Sequence, residues 1–248
     1  MVSVMPPRTM MRRQMLPPDS HETERLRLAD GTRALGLELG PDAIDNLLGF
    51  LDRLQEWNRV YNLTAIRERN AMLTQHVLDS LATVTPLRRM RGTAAQRMLD
   101  VGSGGGLPGV PIAIACPEFD FTCIDSVAKK ADFVHHVVAR LRLPNVHAIH
   151  ARVEALTGGA YDVVITRAFA PLAATVMLTR ACLARDGVWL AMKGRDPVDE
   201  RRELPADIEV FHVERLTVPG LAAARCIVWM RRTSANVDAT LPARANPE

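Results

Sequence analysis

The stretch Met98-Leu99-Asp100-Val101-Gly102-Ser103-Gly104-Gly105-Gly106-Leu107-Pro108-Gly109 constrains this chain more than any other. A short apolar run ends in an acid, passes into a glycine-rich turn and continues into an apolar segment that opens with prolines. That order reads as a buried strand, a tight loop and a helix start. Glycine has no Cβ, so such a loop lets a ligand approach bare backbone. N–H groups at a helix start have no intrahelical partners and favour an anionic or polar ligand end. The turn therefore predicts a site for a nucleotide-like ligand.

Two ligand readings compete, beside the plain one of a loop that binds nothing. Gly104-x-Gly106-x-x-Gly109 matches the dinucleotide fingerprint by letter, a weak signal when alone. Asp100-x-Gly102-x-Gly104-x-Gly106 resembles motif I of class I S-adenosylmethionine-dependent methyltransferases, where an acid ends the first strand near the cationic methionine end of the cofactor. A dinucleotide site must admit a pyrophosphate, which a carboxylate at that place repels, so Asp100 tilts the balance towards a cationic ligand. Pro108 and Pro111 fit a helix beginning near Leu107, because first-turn residues need no N–H.

Phe119 to Ile124 reads as a second strand with Asp125 at its C-terminal end, 23 residues after Gly102. That is about the spacing of the acid that binds ribose hydroxyls in Rossmann-like folds. The plainer alternative is that Asp125 or Ser126 caps the next helix.

The rest of the chain supplies a frame. Residues 1–21 are rich in Met, Pro and Arg without periodicity and are expected to be a disordered extension. Residues 22–95 read as a helical region: one helix opens at Gly40-Pro41-Asp42, and another carries Met72, Leu73, Val77, Leu81 and Val84 and closes at Pro86. Residues 96–232 alternate strands and helices. Val127, Ala131, Val134, Val138 and Leu141 line one helix face. Further strands are expected at Val146–Ile149, Tyr161–Thr166 and Val188–Met192, with a helix over Leu172–Leu183. Ile208–Leu216 and Arg225–Arg231 form a late hairpin. Alternation implies a parallel sheet covered by helices on both faces, with an antiparallel edge. Residues 233–248 read as a disordered tail.

Composition excludes several classes. The 248 residues are 48% hydrophobic, enough for a sizeable core, and the net charge of +3 is too small to prove a nucleic-acid partner. Aromatics at 4% leave no stacking platform for single strands. Cys116, Cys123, Cys182 and Cys226 are scattered, as buried thiols of a reducing compartment would be, and no His/Cys cluster has metal-ligand spacing. No apolar run is long enough to cross a membrane, and no secretory signal is visible. A cytoplasmic protein, a monomer without metal, is the expectation.

Several short motifs recur in one order. They are Trp57-Asn58 with Tyr61-Asn62-Leu63-Thr64, His76 with Leu78-Asp79-Ser80, the glycine turn, Asp125-Ser126 with Lys129-Lys130, Arg152-Val153-Glu154, Arg167-Ala168-Phe169-Ala170 and Lys193-Gly194. On these the chain resembles the bacterial small-subunit ribosomal RNA methyltransferase G family, also called glucose-inhibited division protein B, over roughly residues 40–230. The resemblance implies a Rossmann-like α/β methyltransferase with a mostly parallel seven-stranded sheet and an N-terminal helical extension. It implies S-adenosyl-L-methionine as cofactor and 16S ribosomal RNA, or a small-subunit precursor, as partner. The expected reaction is methylation of N7 of one guanosine in the decoding-region loop. The family's cofactor positions carry over as Gly102, Leu107, Val153, Glu154 and Arg167; the resemblance to motif I adds Asp100 and Gly104, and the strand geometry adds Asp125. Alternatives stand beside some of these: Arg167 as a structural arginine, Glu154 as a first-turn helix acid.

Guanine N7 carries a lone pair and no proton, so attack on a sulfonium methyl needs no general base, and no catalytic acid or base is assigned. The absences agree: no Pro-Cys nucleophile is present, and no Asn/Asp-Pro-Pro-aromatic run follows the fourth strand. Phe169 either stacks on a base or only packs. His76, Asp79 and Ser80 either join helix to sheet or line the site, and Lys193 is either solvated or functional. Arg88-Arg89, Arg91, Arg97 and Lys129-Lys130 are candidate phosphate contacts or a solvated face. Other readings left open are a class I methyltransferase with a small-molecule or protein substrate, a nicotinamide-dependent oxidoreductase and an idle RNA-binding module.

Overall fold

A computed structural model describes residues 20–156 and 160–233. The expectations for residues 1–19 and 234–248 lie outside the described residues. The extension expected up to residue 21 overlaps a helix, α1, which begins at Ser20.

The central strands are apolar runs because both of their faces are covered, as parallel strands require. β1 (Gln96–Val101), β2 (Phe119–Asp125), β3 (Val146–His150), β4 (Tyr161–Arg167), β5 (Leu183–Lys193), β6 (Ile208–Leu216) and β7 (Arg225–Arg232) form one sheet in the order β3-β2-β1-β4-β5-β7-β6. β1 is parallel to both β2 and β4, and β7 runs antiparallel between β5 and β6. The late hairpin is therefore present, but its second strand lies inside the sheet and its first forms the edge. The order of strands reverses between β1 and β4, where ligands of open α/β sheets gather at the carboxyl ends.

Alternation divides the side chains between two cores. Met98, Phe121, Cys123, Val163 and Leu190 join one, while Leu99, Ile124, Val164, Trp189 and Val228 join the other. The first core also takes up α2 (Pro41–Tyr61), α6 (Gly109–Ala115) and α7 (Ala128–Leu141), and the second takes up α8 (Leu172–Thr179). The N-terminal helices thus share the sheet's own core: Leu47, Phe50, Leu51 and Leu54 of α2 are buried in it beside Phe133 and Val134 of α7. Of the apolar face expected on α7, Ala131 and Val134 are buried, Val138 and Leu141 are half-buried, and Val127 precedes the helix and is exposed; Phe133 and Val137 are buried beside them.

Four local expectations are corrected. Pro86 does not close a helix; it stands in the first turn of α5 (Val84–Arg91), where a missing N–H costs nothing. The helix before it is interrupted: α3 (Arg69–Met72) widens into a π-helical turn, Leu73–Leu78, before α4 (Asp79–Leu81). The helix expected over Leu172–Leu183 stops at Thr179, because the chain beyond it pairs with the sheet, Tyr161 N–H donating to the Cys182 carbonyl at 2.8 Å. The helix after the glycine turn starts at Gly109, with Pro108 as its N-cap residue. All four cysteines are free and buried, and no described helix is long and apolar enough to cross a membrane.

Candidate active site

The glycine turn is built by backbone that side-chain residues avoid. Gly102, Gly104 and Gly106 have φ of +67°, +57° and +72°. At Gly102 a Cβ would stand 2.6 Å from the Phe169 ring, so the close approach of the β4–α8 loop also demands glycine. At Gly104 a Cβ would meet nothing nearer than the Gly102 carbonyl at 3.9 Å, so this position opens onto free space.

Two cavities lie at the carboxyl ends of the strands and share Gly102 and Ala168 as walls. The smaller, of about 340 Å³, is lined by Asp125, Ser126, Lys130, Val153, Glu154 and Phe169 among others. The larger, of about 580 Å³, is lined by Gly104, Leu107, Gln75, His76, Asp79, Arg167, Lys193 and Arg225 among others. Of the expected site residues, Gly102, Asp125, Val153 and Glu154 thus border the smaller cavity, and Gly102, Gly104, Leu107 and Arg167 border the larger.

Asp100 is the exception. It is fully buried beneath the turn and borders neither cavity. Its Oδ2 accepts the Gly109 N–H at 2.8 Å, pinning the start of α6, and its Oδ1 has no protein partner. Burial pushes its carboxyl up to about 7, against the pull of the Gly109 N–H and of Arg167. The acid serves the loop from below.

Asp125 makes the capping bond expected of it and also braces the glycine turn. Its Oδ1 accepts the Val127 N–H at 2.9 Å, as a residue capping the approach to α7 would, and its Oδ2 accepts the Gly104 N–H at 2.9 Å. Lys130 stands 3.8 Å from Oδ2. A carboxylate has about four acceptor sites, so capacity remains on the cavity side. Val153 and Glu154 form a single 3-10 turn, Val153–Ala155, with Val153 buried and Glu154 exposed.

Sequence reasoning missed the organisation of the larger cavity. Asp79, buried, receives Arg225 Nε at 2.7 Å on Oδ1 and Arg167 Nη1 at 3.3 Å on Oδ2. Arg167 Nη1 also donates to the Gln75 carbonyl at 3.1 Å, on the π-helical turn. Burial lowers the Arg167 pKa, and Asp79 opposes that. His76 Nε2 lies 2.8 Å from the Thr64 hydroxyl; burial and the Arg167 charge push its imidazole down to about 4, so it is neutral at pH 7. Lys193 is not solvated but paired with Glu200 at 2.8 Å. Arg225 carries no local signal, since it merely opens a strand. The π-helical turn is the one hint a reader of the backbone has, as such turns collect at functional sites.

The expected phosphate contacts near β1 are elsewhere. Arg88 pairs with Glu118 at 2.8 Å, Arg89 with Glu214, and Arg97 donates to the Ala160 carbonyl. Arg88 and Arg97 belong to the opposite rim, near the amino ends of the strands, whereas Glu214, the partner of Arg89, stands level with Met192 towards the carboxyl end of β5.

Residues 43–228 match the family described as rRNA small subunit methyltransferase G. The chain belongs to that family. A relative of that name from Acidovorax sp. (strain JS42) is 58% identical over 212 residues, covering 82% of this chain and 93% of the relative. Another of the same name from Leptothrix cholodnii is 56% identical over 213 residues, covering 86% and 98%. Among solved structures, magnesium protoporphyrin IX methyltransferase from Synechocystis, with bound SAM, superposes with a TM-score of 0.53 at 16% identity, covering 85% of this chain and 97% of that one. The 1,6-didemethyltoxoflavin-N1-methyltransferase of Burkholderia thailandensis, with bound S-adenosylhomocysteine, gives 0.52 at 15% identity, covering 75% and 89%. The fold is that of class I methyltransferases, and family membership decides the glycine pattern for a methyltransferase over an oxidoreductase. Among the described residues no three His, Cys, Asp or Glu side chains gather as a metal site would require.

Proposed function

We propose that this chain transfers the methyl group of S-adenosyl-L-methionine to N7 of a guanosine in the decoding-region loop of 16S ribosomal RNA, acting in the cytoplasm on the RNA or a small-subunit precursor. The observation that carries this reading beyond family membership is the junction at Gly102 and Ala168, where an elongated ligand in the smaller cavity reaches the larger one. The residues present fit such a cofactor. Asp125 and Glu154 offer acceptors for ribose hydroxyls, Val153 offers an apolar wall, and Lys130 and Ser126 add polar contacts. Gly102, Gly104 and Leu107 leave bare backbone, and Gly104 leaves open the volume a side chain would fill. Arg167 offers a donor for a carboxylate end. When bound, the cofactor supplies a methyl group on a cationic sulfur.

The chain's own residues then have to align and to dehydrate. The purine nitrogen needs no deprotonation, and the residue nearest to a base, His76, is held neutral and bonded to Thr64. Arg167 and Arg225 present donors of the kind that purine oxygen and nitrogen acceptors take. Asp79 neutralises one of those two charges, which limits repulsion of the cationic methylated base. Alignment and exclusion of water are sufficient sources of rate for such a step.

Calorimetry of the purified protein with S-adenosylmethionine and with NAD tests the cofactor; binding of NAD alone would end the reading. Deleting the gene and mapping modified guanosines in 16S RNA tests the target. One N7-methyl mark should vanish and return on complementation; persistence of every mark would refute the RNA assignment.

A further inference from the structure

The wall shared by the two cavities is held from outside both. Arg167-Ala168-Phe169-Ala170-Pro171 leads from β4 to α8, and within it Ala168 has φ of +52°, a left-handed conformation that a non-glycine residue keeps only when its surroundings impose it. Phe169 packs over Gly102. Further along, the same segment is held by a short helix after β5, α9 (Val198–Arg202), which carries Glu200. Glu200 Oε2 accepts the Leu172 N–H at 2.8 Å. Leu172 is the first residue of α8, and its N–H has no acceptor within the helix. The same carboxylate receives Lys193 Nζ, at 2.8 Å on Oε2 and 3.1 Å on Oε1. Lys193 Nζ in turn donates to the Ala170 carbonyl at 3.3 Å, which the Thr175 hydroxyl also reaches at 3.3 Å. One carboxylate thus ties the end of β5, the loop and the start of α8 into a closed ring.

We propose that Glu200 is a positioning residue that fixes the common wall of the two cavities and restrains Lys193, a lining residue of the larger one. This rests on the methyl-transfer reading above. Glu200 borders neither cavity, so it acts through Lys193 and the loop. It has two separable effects. Its acceptor oxygens hold the loop, and its charge offsets a lysine that would otherwise add an unpaired cation beside Arg167 and Arg225, which share Asp79.

The test uses E200A and E200Q in the full-length protein. Glutamine keeps one acceptor oxygen for Leu172 and loses the charge. In E200A, amide exchange at Leu172 accelerates in the protein alone, calorimetric affinity for S-adenosylmethionine falls about tenfold, and kcat falls by a similar factor, the scale of one lost charge-assisted hydrogen bond. KM for small-subunit RNA does not rise, because the released lysine adds attraction for phosphate. E200Q restores Leu172 protection and most of kcat. Wild-type values of exchange, affinity and kcat in E200A would overturn the proposal. So would an E200Q enzyme with a protected Leu172 but a kcat as low as that of E200A. If E200A does not fold, E200Q decides alone: fast Leu172 exchange with normal kcat would sink the link between loop and catalysis. A wild-type protein that fails to methylate RNA counts against the proposed function, whereas the Leu172 exchange reports on the ring independently of any substrate.

Discussion

Arginines crowd both ends of this sheet, and they are used differently. At the rim near the amino ends of the strands each finds its own partner: Arg88 has Glu118, Arg91 has Gln96 and the Asp186 carbonyl, and Arg97 has the Ala160 carbonyl. At the carboxyl ends, Arg167 and Arg225 share a single buried carboxylate, Asp79. In the first arrangement only Arg88 meets a carboxylate; Arg91 and Arg97 bond neutral acceptors and keep their charge at a rim where water and salt screen it. The second leaves one positive charge over, inside a cavity where water screens it less. Counting basic residues does not locate a binding surface; counting charges against buried partners does.

Breaking the shared carboxylate should have the largest effect. Asp79→Ala strands two partly buried guanidiniums, and a loss of about 3 kcal/mol is expected from denaturant midpoints, together with loss of methyl transfer. A value near zero would place Asp79 with the rim pairs. Next in size is a pH effect at Asp100. Its carboxyl is raised to about 7, so the folded state keeps a proton that the unfolded chain has released above its ordinary value. That contribution is full at low pH and is lost as pH rises through about 7. His76 works the other way: its folded value of about 4 lies below the ordinary one, so its contribution is present at neutral pH and is lost as pH falls through about 4. Asp100→Asn removes only the first. Its stability relative to the wild type should therefore climb by roughly 2 kcal/mol between acid and neutral pH, a slope readable from melts in a pH series. A flat difference would show Asp100 ionised normally.

Arg167→Ala sharpens the comparison at the site itself. Affinity for S-adenosylmethionine should drop about tenfold, or about 1.4 kcal/mol, with the fold retained because Arg225 still neutralises Asp79. Unchanged affinity would remove Arg167 from the cofactor site. The smallest effect belongs to the rim: exposed Arg97→Ala should alter stability by no more than about 0.5 kcal/mol and leave KM for RNA unchanged. A raised KM would make the rim an RNA-docking face after all.

Much of the frame was readable before any coordinates. β2, β6 and β7 fall within a residue of their expected bounds, because alternation and turn residues are local signals. The glycine turn was legible for the same reason. Less legible were Pro86, which starts a helix rather than ending one, and Leu183, whose apolar character suits helix and strand alike and which pairing with Tyr161 decides. That Asp100 lies beneath the turn is not legible, because proximity to a loop in sequence does not say on which side of it a side chain lies. For His76 and Asp79 the sequence leaves open whether they join helix to sheet or line the site, and Arg225 gives no signal at all.

The sequence by itself determined the order of strands and helices, the turn that only glycine can make, and the family. These depend on dihedral preference and periodicity, which act over a few residues. Only the tertiary structure decided that Asp79 and Arg225, 146 positions apart, form one ion pair, and that Asp79 meets Arg167 across 88. Such contacts arise from the crossing of β4, β7 and the π-helical turn, and no local preference encodes which distant charge will arrive.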